Sequence, residues 1–309
     1  MPPHLTDGTG PTTTPGLTPL ATQTATADTP ALASFSLKDK LVVVTGGARG
    51  LGLVMGYGIV ASGAELAIVD INVEEAKTQA CLMTAHFKQS SPDSNNNNNN
   101  NNNNKPCPKI TAHYVDVSDP ASVDACLAEV LEAHGGKTIN GLVTSAGFVE
   151  NFAAVDYPPD RMRKLWGVNV DGTYLFATAV ARHLMSRKKK GSIVLIGSMS
   201  GSIVNVPQQQ APYNASKAAV RQLCSSFAVE WAEAGIRVNC ISPGYMLTAL
   251  TENILTNNPD LKREWTSRIP QGRMGAPSDL AGPVVFLLSD ASGYVTGADL
   301  RVDGGYTVI

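Results

Sequence analysis

The stretch Leu41–Gly52 reads LVVVTGGARGLG, and it decides the fold of this 309-residue chain. Its first five residues are apolar or β-branched and predict a short buried strand, and the glycines that follow predict a tight turn into a helix. Such a turn lets backbone N–H groups approach a pyrophosphate, whose negative charge the helix N-terminus stabilises. The stretch therefore predicts a dinucleotide site between the first strand and the first helix.

Strand-like and helical segments alternate along the chain outward from this turn. Apolar runs predict strands at Leu41–Thr45, Glu65–Val69, Ile110–Val115, Gly141–Thr144, Ser192–Ile196 and Ile236–Ile241. Amphipathic stretches predict helices at about 50–62, 73–87, 120–134, 160–187 and 213–234. Near-continuous apolar strands separated by helices are typical of a parallel sheet that is covered on both faces. We therefore expect a single doubly wound α/β (Rossmann) domain with a mostly parallel sheet.

Two segments of low complexity interrupt this alternation. Residues 1–35 are rich in Thr, Pro and Ala and predict a disordered N-terminal tail. A second segment, at about 90–108, contains the asparagine run 95–104 and predicts a flexible insert, because added loop length costs little free energy. A stacked poly-asparagine zipper is the alternative for the insert. Residues 36–309 are expected to form the folded domain around it.

Composition excludes several function classes. The chain has 24 Lys and Arg against 26 Asp and Glu, so the basic footprint of a nucleic-acid-binding protein is absent. No apolar run approaches the roughly 20 residues that cross a bilayer, and the N-terminus resembles neither a secretory signal nor a mitochondrial presequence. The five cysteines are scattered without metal-ligand spacing. We expect a cytoplasmic protein with reduced thiols, no bound metal and no membrane partner.

Acidic residues after the second and third strands bear on the cofactor. Asp70 is placed to accept hydrogen bonds from an adenosine ribose diol and to repel a 2′-phosphate, which favours NAD. Arg49 favours NADP, since a guanidinium beside the turn could pair with that phosphate, but it can also turn to solvent. Asp116 and Val117 are expected to contact the adenine. The alternative for Asp116 is to cap the next helix, a role for which Asp119 competes.

A tyrosine and a lysine are expected to share one face of the helix predicted at 213–234. Tyr213 and Lys217 are four residues apart, which brings their side chains together. A phenol has an ordinary pKa near 10 and needs help to act as an acid–base catalyst near neutral pH. We expect the Lys217 ammonium and the positive charge of oxidised nicotinamide to lower the pKa of Tyr213. Ser198, directly after a strand, is expected to hold the substrate oxygen, with Ser200 as the competing choice.

With these motifs in order, residues 37–309 apart from the insert resemble the classical short-chain dehydrogenase/reductases. The resemblance rests on the glycine turn, the Ser198 segment, the Tyr-x-x-x-Lys pair and the string WGVNV at 166–170. It implies a Rossmann fold, a nicotinamide cofactor and hydride transfer at a CH–OH group. It also implies a catalytic set of Asn169, Ser198, Tyr213 and Lys217, in which Asn169 positions a relay water.

The resemblance extends the cofactor site and implies an assembly. Pro243-Gly244 and Thr248 resemble the segment that meets the nicotinamide and its carboxamide, and Lys217 can bond a cofactor ribose. The expected cofactor-binding residues are Gly46, Arg49, Gly50, Leu51, Gly52, Asp70, Asp116, Val117, Tyr213, Lys217, Pro243, Gly244 and Thr248. Residues 144–147 read TSAG where the family usually shows NNAG, although Thr and Ser supply some of the same hydrogen bonds. The helices at 160–187 and 213–234 are implied to form a dimer interface, often within tetramers.

The segment before Tyr213 bears on the substrate. Residues 203–213 read IVNVPQQQAPY and are most similar to those of fungal polyol dehydrogenases. Its amides suit a ligand with several hydroxyls, because unmatched buried amides penalise an apolar ligand; a solvated loop is the alternative. We expect an NAD-dependent enzyme that interconverts D-arabinitol and a pentulose, with Ser198, Gln208 and Tyr213 on the substrate. The alternatives are an NADPH-dependent ketone or ketose reductase and a non-catalytic dinucleotide sensor, which has no need for all four catalytic residues.

Overall fold

A computed structural model describes residues 30–89 and 107–309 of the chain. Within these ranges the strands are β1 (Leu41–Thr45), β2 (Glu65–Asp70), β3 (Ile110–Tyr114), β4 (Ile139–Thr144), β5 (Gly191–Ile196), β6 (Ile236–Pro243) and β7 (Asp299–Val302). The α-helices are α1 (Gly50–Ala61), α2 (Val73–Gln89), α3 (Pro120–Ala133), α4 (Pro159–Trp166), α5 (Gly172–Ser186), α6 (Ala211–Trp231), α7 (Ala249–Thr256), α8 (Pro259–Ser267) and α9 (Ala281–Leu288).

The strands form one parallel sheet in the order β3-β2-β1-β4-β5-β6-β7. The strand order reverses between β1 and β4, and such a switch point opens a crevice at the carboxyl ends of the strands, where ligands of open α/β sheets bind. Every residue of β1 is buried, as expected for a strand that helices cover on both faces. The expected doubly wound α/β fold is confirmed.

Two apolar layers bury the two faces of the sheet. On one face, side chains of α3, α5 and α6 pack on the strands, with Phe176 and Val180 fully buried among them. On the other face, side chains of α1, α2 and α9 do the same, with Met55 and Ile59 fully buried. Burying both faces leaves the carboxyl edge of the sheet, with the loops that follow each strand, as the place for a site.

The helix expected at 160–187 is divided in the structure. A π-helical turn, Gly167–Asp171, separates α4 from α5 and buries Asn169. Turns of this kind occur frequently at functional sites. The separation was not expected from the sequence, because the apolar periodicity of the two helices is nearly continuous across it.

Most of the expected tail and insert fall on residues 1–29 and 90–106, outside the described residues. The end of the expected tail, Ala31–Phe35, forms a short 3-10 helix, and the Phe35 ring lies 5.9 Å from the ring of Phe286. In the described part of the chain, no helix is both long and apolar enough to cross a membrane.

Candidate functional site

The turn after β1 forms one end of the candidate site. Gly46 and Gly50 have φ angles of +63° and +57°, a region that favours glycine. A Cβ at Gly52 would lie 2.3 Å from the Gly46 carbonyl oxygen, so the turn closes only without that atom. No side chain among the described residues caps the first turn of α1, and its first N–H groups keep their hydrogen-bonding capacity. An uncapped helix start behind a glycine turn fits a pyrophosphate.

Asp70 ends β2 at the same edge of the sheet. Its two carboxylate oxygens accept backbone N–H bonds from Ala48 at 3.1 Å and from Asn72 at 3.0 Å. The bond to Ala48 ties this buried carboxylate to the glycine turn, and each oxygen retains a lone pair for a ribose hydroxyl. Arg49 is exposed, and its side chain makes no hydrogen bond or ion pair with the described residues. Leu51, in the first turn of α1, is half-buried and packs against the apolar layer on that face of the sheet. The Asp70 carboxylate can therefore accept from a ribose diol, and the Arg49 side chain remains able to turn toward a phosphate or toward solvent.

Asp116 and Val117, in the loop that follows β3, differ in their surroundings. The Asp116 carboxylate accepts bonds from the N–H and the hydroxyl of Ser118, at 2.9 and 2.6 Å. The cap of α3 is Asp119, whose carboxylate accepts from the Ala121 N–H at 3.1 Å, so the capping alternative for Asp116 is wrong. Val117 is buried in the core against α5, which leaves little of its surface for an adenine ring.

Asn169 joins the loop after β4 to the start of α6. Its amide nitrogen donates to the Phe148 carbonyl at 3.0 Å and to the Ser216 hydroxyl at 3.1 Å, while its oxygen accepts from the Phe148 N–H at 3.1 Å. Ser216 in turn donates to the Tyr213 carbonyl at 2.7 Å. Sequence reasoning gave Ser216 no role, although its spacing of three from Tyr213 places the two on one helix face.

Tyr213, Lys217 and Ser198 converge where α6 meets the end of β5. Lys217 Nζ lies 5.8 Å from the Tyr213 ring centroid and donates to the Ile196 carbonyl at 2.8 Å. Burial lowers the pKa of Lys217 to about 8. Burial raises the pKa of Tyr213, and its hydrogen bond with Ser198 acts in the opposite direction. The protein groups alone therefore do not produce the expected lowering of the Tyr213 pKa, because desolvation of the phenolate outweighs them.

The loop that carries Ser198 fits tightly against α6. The buried Ser198 hydroxyl donates to Ser200 Oγ at 3.1 Å, and the Ser200 N–H donates back at 3.2 Å. A Cβ at Gly201 would lie 2.7 Å from the Lys217 carbonyl carbon, so a larger residue there would push the loop away from the helix. This close approach sets the distance between Ser198 and the residues of α6.

A charged pair that the sequence reasoning missed holds the same loop. Arg221 donates to the Gly201 carbonyl at 2.8 Å and to Asp299 Oδ2 at 2.7 Å. The other Asp299 oxygen accepts from the Ser242 hydroxyl at 2.5 Å. Arg221 follows Lys217 by four residues, which was the available signal that it shares the face of α6 turned toward the site.

The segment after β6 is fixed by a backbone hydrogen bond to β7 and by the N-terminal cap of α7. Pro243 is buried at the end of β6, and the Gly244 N–H donates to the Val302 carbonyl at 2.9 Å. Thr248 caps α7, and its hydroxyl accepts from the Thr251 N–H at 3.3 Å. The expected contact of Thr248 with a nicotinamide carboxamide stays a prediction.

The side-chain amides before Tyr213 differ in exposure, and three of them, Gln208, Gln209 and Gln210, line a cavity. Asn205 and Gln210 are 3% and 7% exposed and bond to each other at 3.0 Å, so the solvated-loop alternative does not hold for them. Half-buried Gln208 forms a hydrogen bond with the Tyr245 hydroxyl, and in the amide orientation that satisfies both of its polar atoms its oxygen also accepts from Trp265 Nε1 at 3.0 Å. The Tyr245 ring stacks on Trp265 at 4.2 Å. A cavity of about 510 Å³ is lined by Phe152, Ala154, Val204, Gln208, Gln209, Gln210, Ala211 and Asn214.

The cysteines and the side chains that could bind a metal give no sign of a metal centre in the described part of the chain. All five cysteines are free, and burial raises the pKa of Cys126 and of Cys240 to about 12. In residues 30–89 and 107–309, no group of three or more His, Cys, Asp or Glu side chains is placed to hold a metal ion.

Comparison with known proteins extends these observations. A family profile described as Enoyl-(Acyl carrier protein) reductase matches residues 88–307. The chain is 40% identical over 274 residues to a D-arabinitol 2-dehydrogenase [ribulose-forming] of Candida tropicalis, covering 88% of this chain and 94% of the relative. It is 39% identical to an NADH-dependent L-xylulose reductase of Ambrosiozyma monospora, covering 89% and 97%. A crystal structure of a gluconate 5-dehydrogenase from Burkholderia cenocepacia J2315 in complex with NADP and tartrate aligns with a TM-score of 0.77 at 33% identity, covering 91% of this chain and 100% of the other.

Proposed function

Because this chain belongs to the short-chain dehydrogenase/reductase family, we propose that it is an NAD-dependent polyol dehydrogenase that interconverts D-arabinitol and a pentulose. It is an NAD(P)-dependent oxidoreductase that acts on CH–OH groups. The observation that carries the substrate proposal is the cavity beside the start of α6, where the amides of Gln208, Gln209 and Asn214 are part of the lining. A ligand with several hydroxyls can pair with the donor and acceptor positions of these amides that their bonds within the protein leave free, whereas an apolar ligand cannot.

We assign the proton transfer to Tyr213. In the oxidative direction its oxygen takes the hydroxyl proton of the substrate, while the Ser198 hydroxyl holds the same substrate oxygen. Lys217 is charged at neutral pH, since its pKa is about 8, and its ammonium favours the phenolate form of the neighbouring tyrosine. Asn169 is assigned the positioning of a relay water. When bound, the nicotinamide supplies the acceptor for the hydride.

We assign NAD as the cofactor on the surroundings of Asp70. Its carboxylate lies beside the glycine turn, where a 2′-phosphate would meet a like charge. Gly46, Gly50 and Gly52 are assigned to the pyrophosphate. The solved gluconate dehydrogenase holds NADP, and the L-xylulose reductase is described as NADH-dependent, so relatives of both kinds exist.

We also propose a cytoplasmic homo-oligomer, a dimer or a tetramer, that assembles through α5 and α6. Tyr174 on α5 is 47% exposed and Val229 on α6 is 80% exposed, and burial of such side chains would stabilise an interface. The free thiols of the five cysteines support a reducing compartment. Light scattering on the purified chain measures the mass of the assembly, and a monomer would contradict the interface.

Initial rates with a panel of polyols test the function. The panel contains D-arabinitol, D-mannitol, xylitol and D-sorbitol, each with NAD and with NADP, and the rate is followed by the absorbance of the reduced cofactor. We expect the highest kcat/KM with D-arabinitol and NAD, and a pentulose as the product by chromatography. Preference for a hexitol would contradict the assigned substrate, and preference for NADP would contradict the assignment of Asp70.

A further inference from the structure

A line of hydrogen bonds runs from Ser198 into the protein. Ser198 donates to Ser200 Oγ at 3.1 Å, and Ser200 Oγ also accepts from Gln210 Nε2 at 3.3 Å. The same amide nitrogen lies 3.0 Å from Asn205 Oδ1 and 2.9 Å from Asn214 Oδ1, so its two protons are shared among three acceptors, of which Ser200 Oγ is the most distant. Ser200 and Gln210 are both buried, so water does not readily replace these partners. The hydroxyl assigned to the substrate oxygen is thus connected to a buried amide.

From Gln210 the line branches, toward the cavity through Asn214 and toward α8 through Asn205. Asn214 is half-buried and lines the cavity directly. Asn205 donates to the Tyr245 hydroxyl at 3.3 Å, and Tyr245 stacks on Trp265 of α8. Gln210 therefore connects three regions: the loop that carries Ser198, the wall of the cavity, and Tyr245, which packs against α8.

The direction of the Ser198–Ser200 bond matters for the reaction. A hydroxyl has one proton, so Ser198, which neighbours both Ser200 Oγ and the Tyr213 hydroxyl, can donate to only one of them, and in this arrangement it donates to Ser200. To hold a reacting oxygen, Ser198 has to turn this proton from Ser200 to the substrate. Ser200 can then donate its own proton to Ser198, provided that the Ser200 oxygen stays in place. The partner that remains on Ser200 during this exchange is the Gln210 NH₂ group, which donates and cannot accept.

We propose that Gln210 is a positioning residue: it holds the Ser200 oxygen so that Ser198 is free to donate to the reacting oxygen of the substrate. This inference rests on the proposed function in one respect, the assignment of Ser198 to the substrate oxygen. It requires no particular polyol and no particular dinucleotide. The role of Gln210 is indirect, because its amide reaches Ser198 through Ser200.

The variant Gln210→Glu reverses the donor at this position with little change in shape. An ionised carboxylate accepts the Ser200 proton, so Ser200 can no longer donate to Ser198, and we expect kcat to fall about tenfold or more. Once protonated, the carboxyl can donate again. Burial raises the pKa of such a carboxyl, so we expect the ratio of variant to wild-type kcat, measured at the same pH, to recover as the pH is lowered toward 6. Gln89→Glu, at the exposed end of α2, introduces the same charge change away from the site and is expected to keep the wild-type pH profile.

A double-mutant cycle separates this role from a purely structural one. Ser200→Ala removes the group through which Gln210 acts, so adding Gln210→Glu to Ser200→Ala should cause little further loss of kcat. Full additivity of the two losses, or a wild-type pH profile for Gln210→Glu, would overturn the proposal. If Gln210→Glu does not fold, Gln210→Met replaces it in the same cycle, with the same expected non-additivity.

A binding measurement and the choice of alcohol keep the outcomes distinct. NADH binding, followed by fluorescence, should stay within about twofold of wild type for each variant, which shows that the cofactor side is intact. The cycle uses whichever alcohol the wild-type protein oxidises fastest. A preferred alcohol that is not a polyol would therefore contradict the proposed function and leave the test of Gln210 unaffected.

Discussion

The carboxyl edge of the sheet presents different kinds of groups to a ligand on the two sides of the switch point between β1 and β4. Beside β1 and β2, the groups are backbone N–H groups at an uncapped helix start and one carboxylate, and glycines give the chain its path. Beside β4 and β5, the groups are side chains that bond to further side chains: Ser198 and Gln210 both bond to Ser200, and Gln208 bonds to Tyr245. A site made of backbone is determined by a few adjacent residues. A site made of side chains depends on partners that the sequence separates widely, and its function should respond to changes at several of them.

The largest effect is expected on the substrate side, from Tyr213→Phe. Loss of the hydroxyl removes the assigned proton acceptor, and we expect kcat to fall by about 10²–10⁴. NADH binding should stay within about twofold, because the ring and Lys217 remain. Steady-state kinetics and fluorescence titration measure the two quantities, with the fully exposed Tyr294→Phe as the matched control. Near-normal turnover of Tyr213→Phe would exclude this residue as the acid–base group.

The next effect is expected on the dinucleotide side, from Gly52→Ala. The added Cβ would lie 2.3 Å from the Gly46 carbonyl oxygen, so the turn has to open. We expect the Kd for NADH to rise about tenfold or more and the free energy of unfolding to fall by about 1–3 kcal/mol. Gly282→Ala, in α9 with open space around its Cβ position, is the control and should change neither. Unchanged NADH affinity in Gly52→Ala would mean that the turn does not hold the dinucleotide.

A change of cofactor preference, with the fold kept intact, is expected from Asp70→Asn, which removes the charge and keeps an oxygen for the Ala48 N–H. Without the like charge, a 2′-phosphate is tolerated better. We expect the ratio of kcat/KM for NADP to kcat/KM for NAD to rise about 10–100-fold, which corresponds to about 1.4–2.7 kcal/mol. Kinetics with both cofactors at a fixed alcohol concentration measure the ratio. An unchanged ratio would show that Asp70 does not select the cofactor.

The smallest effect concerns the pH dependence of stability. Burial lowers the pKa of Lys217 from 10.5 to about 8, so between these values the unfolded chain binds more protons than the folded one. Stability contributed by this group therefore rises with pH across that window, by about 1 kcal/mol between pH 7.5 and 9. Urea unfolding of wild type and of Lys217→Met at both pH values measures the difference, which the variant should lose. Equal pH dependence of the two proteins would contradict a buried, weakly basic Lys217.

The contrast between the two sides also explains what could be predicted from the sequence. The strand-turn-helix pattern at 41–52 and the alternation of apolar strands with helices are local, and the predicted fold is confirmed. Tyr213 and Lys217 could be paired because helix periodicity alone places them on one face. The roles proposed for the site residues stay predictions.

The features that were missed depend on contacts between distant segments. The π-helical turn that buries Asn169 is stabilised by bonds to Phe148 and Ser216, which lie on other elements. The bond from Gln210 to Ser200 and the pair of Arg221 with Asp299 exist only once loops and strands have packed together. Amphipathic periodicity contains no signal for such pairs.

The most direct test of the central claim compares two alcohols that differ in their hydroxyl groups. With purified wild-type protein and saturating NAD, kcat/KM is measured for D-arabinitol and for 2-pentanol, which has the same chain length and one hydroxyl. If amides of the cavity recognise the substrate, D-arabinitol should be preferred by about 10³-fold or more. Equal rates with the two alcohols, or a preference for 2-pentanol, would contradict a polyol site on this side of the sheet.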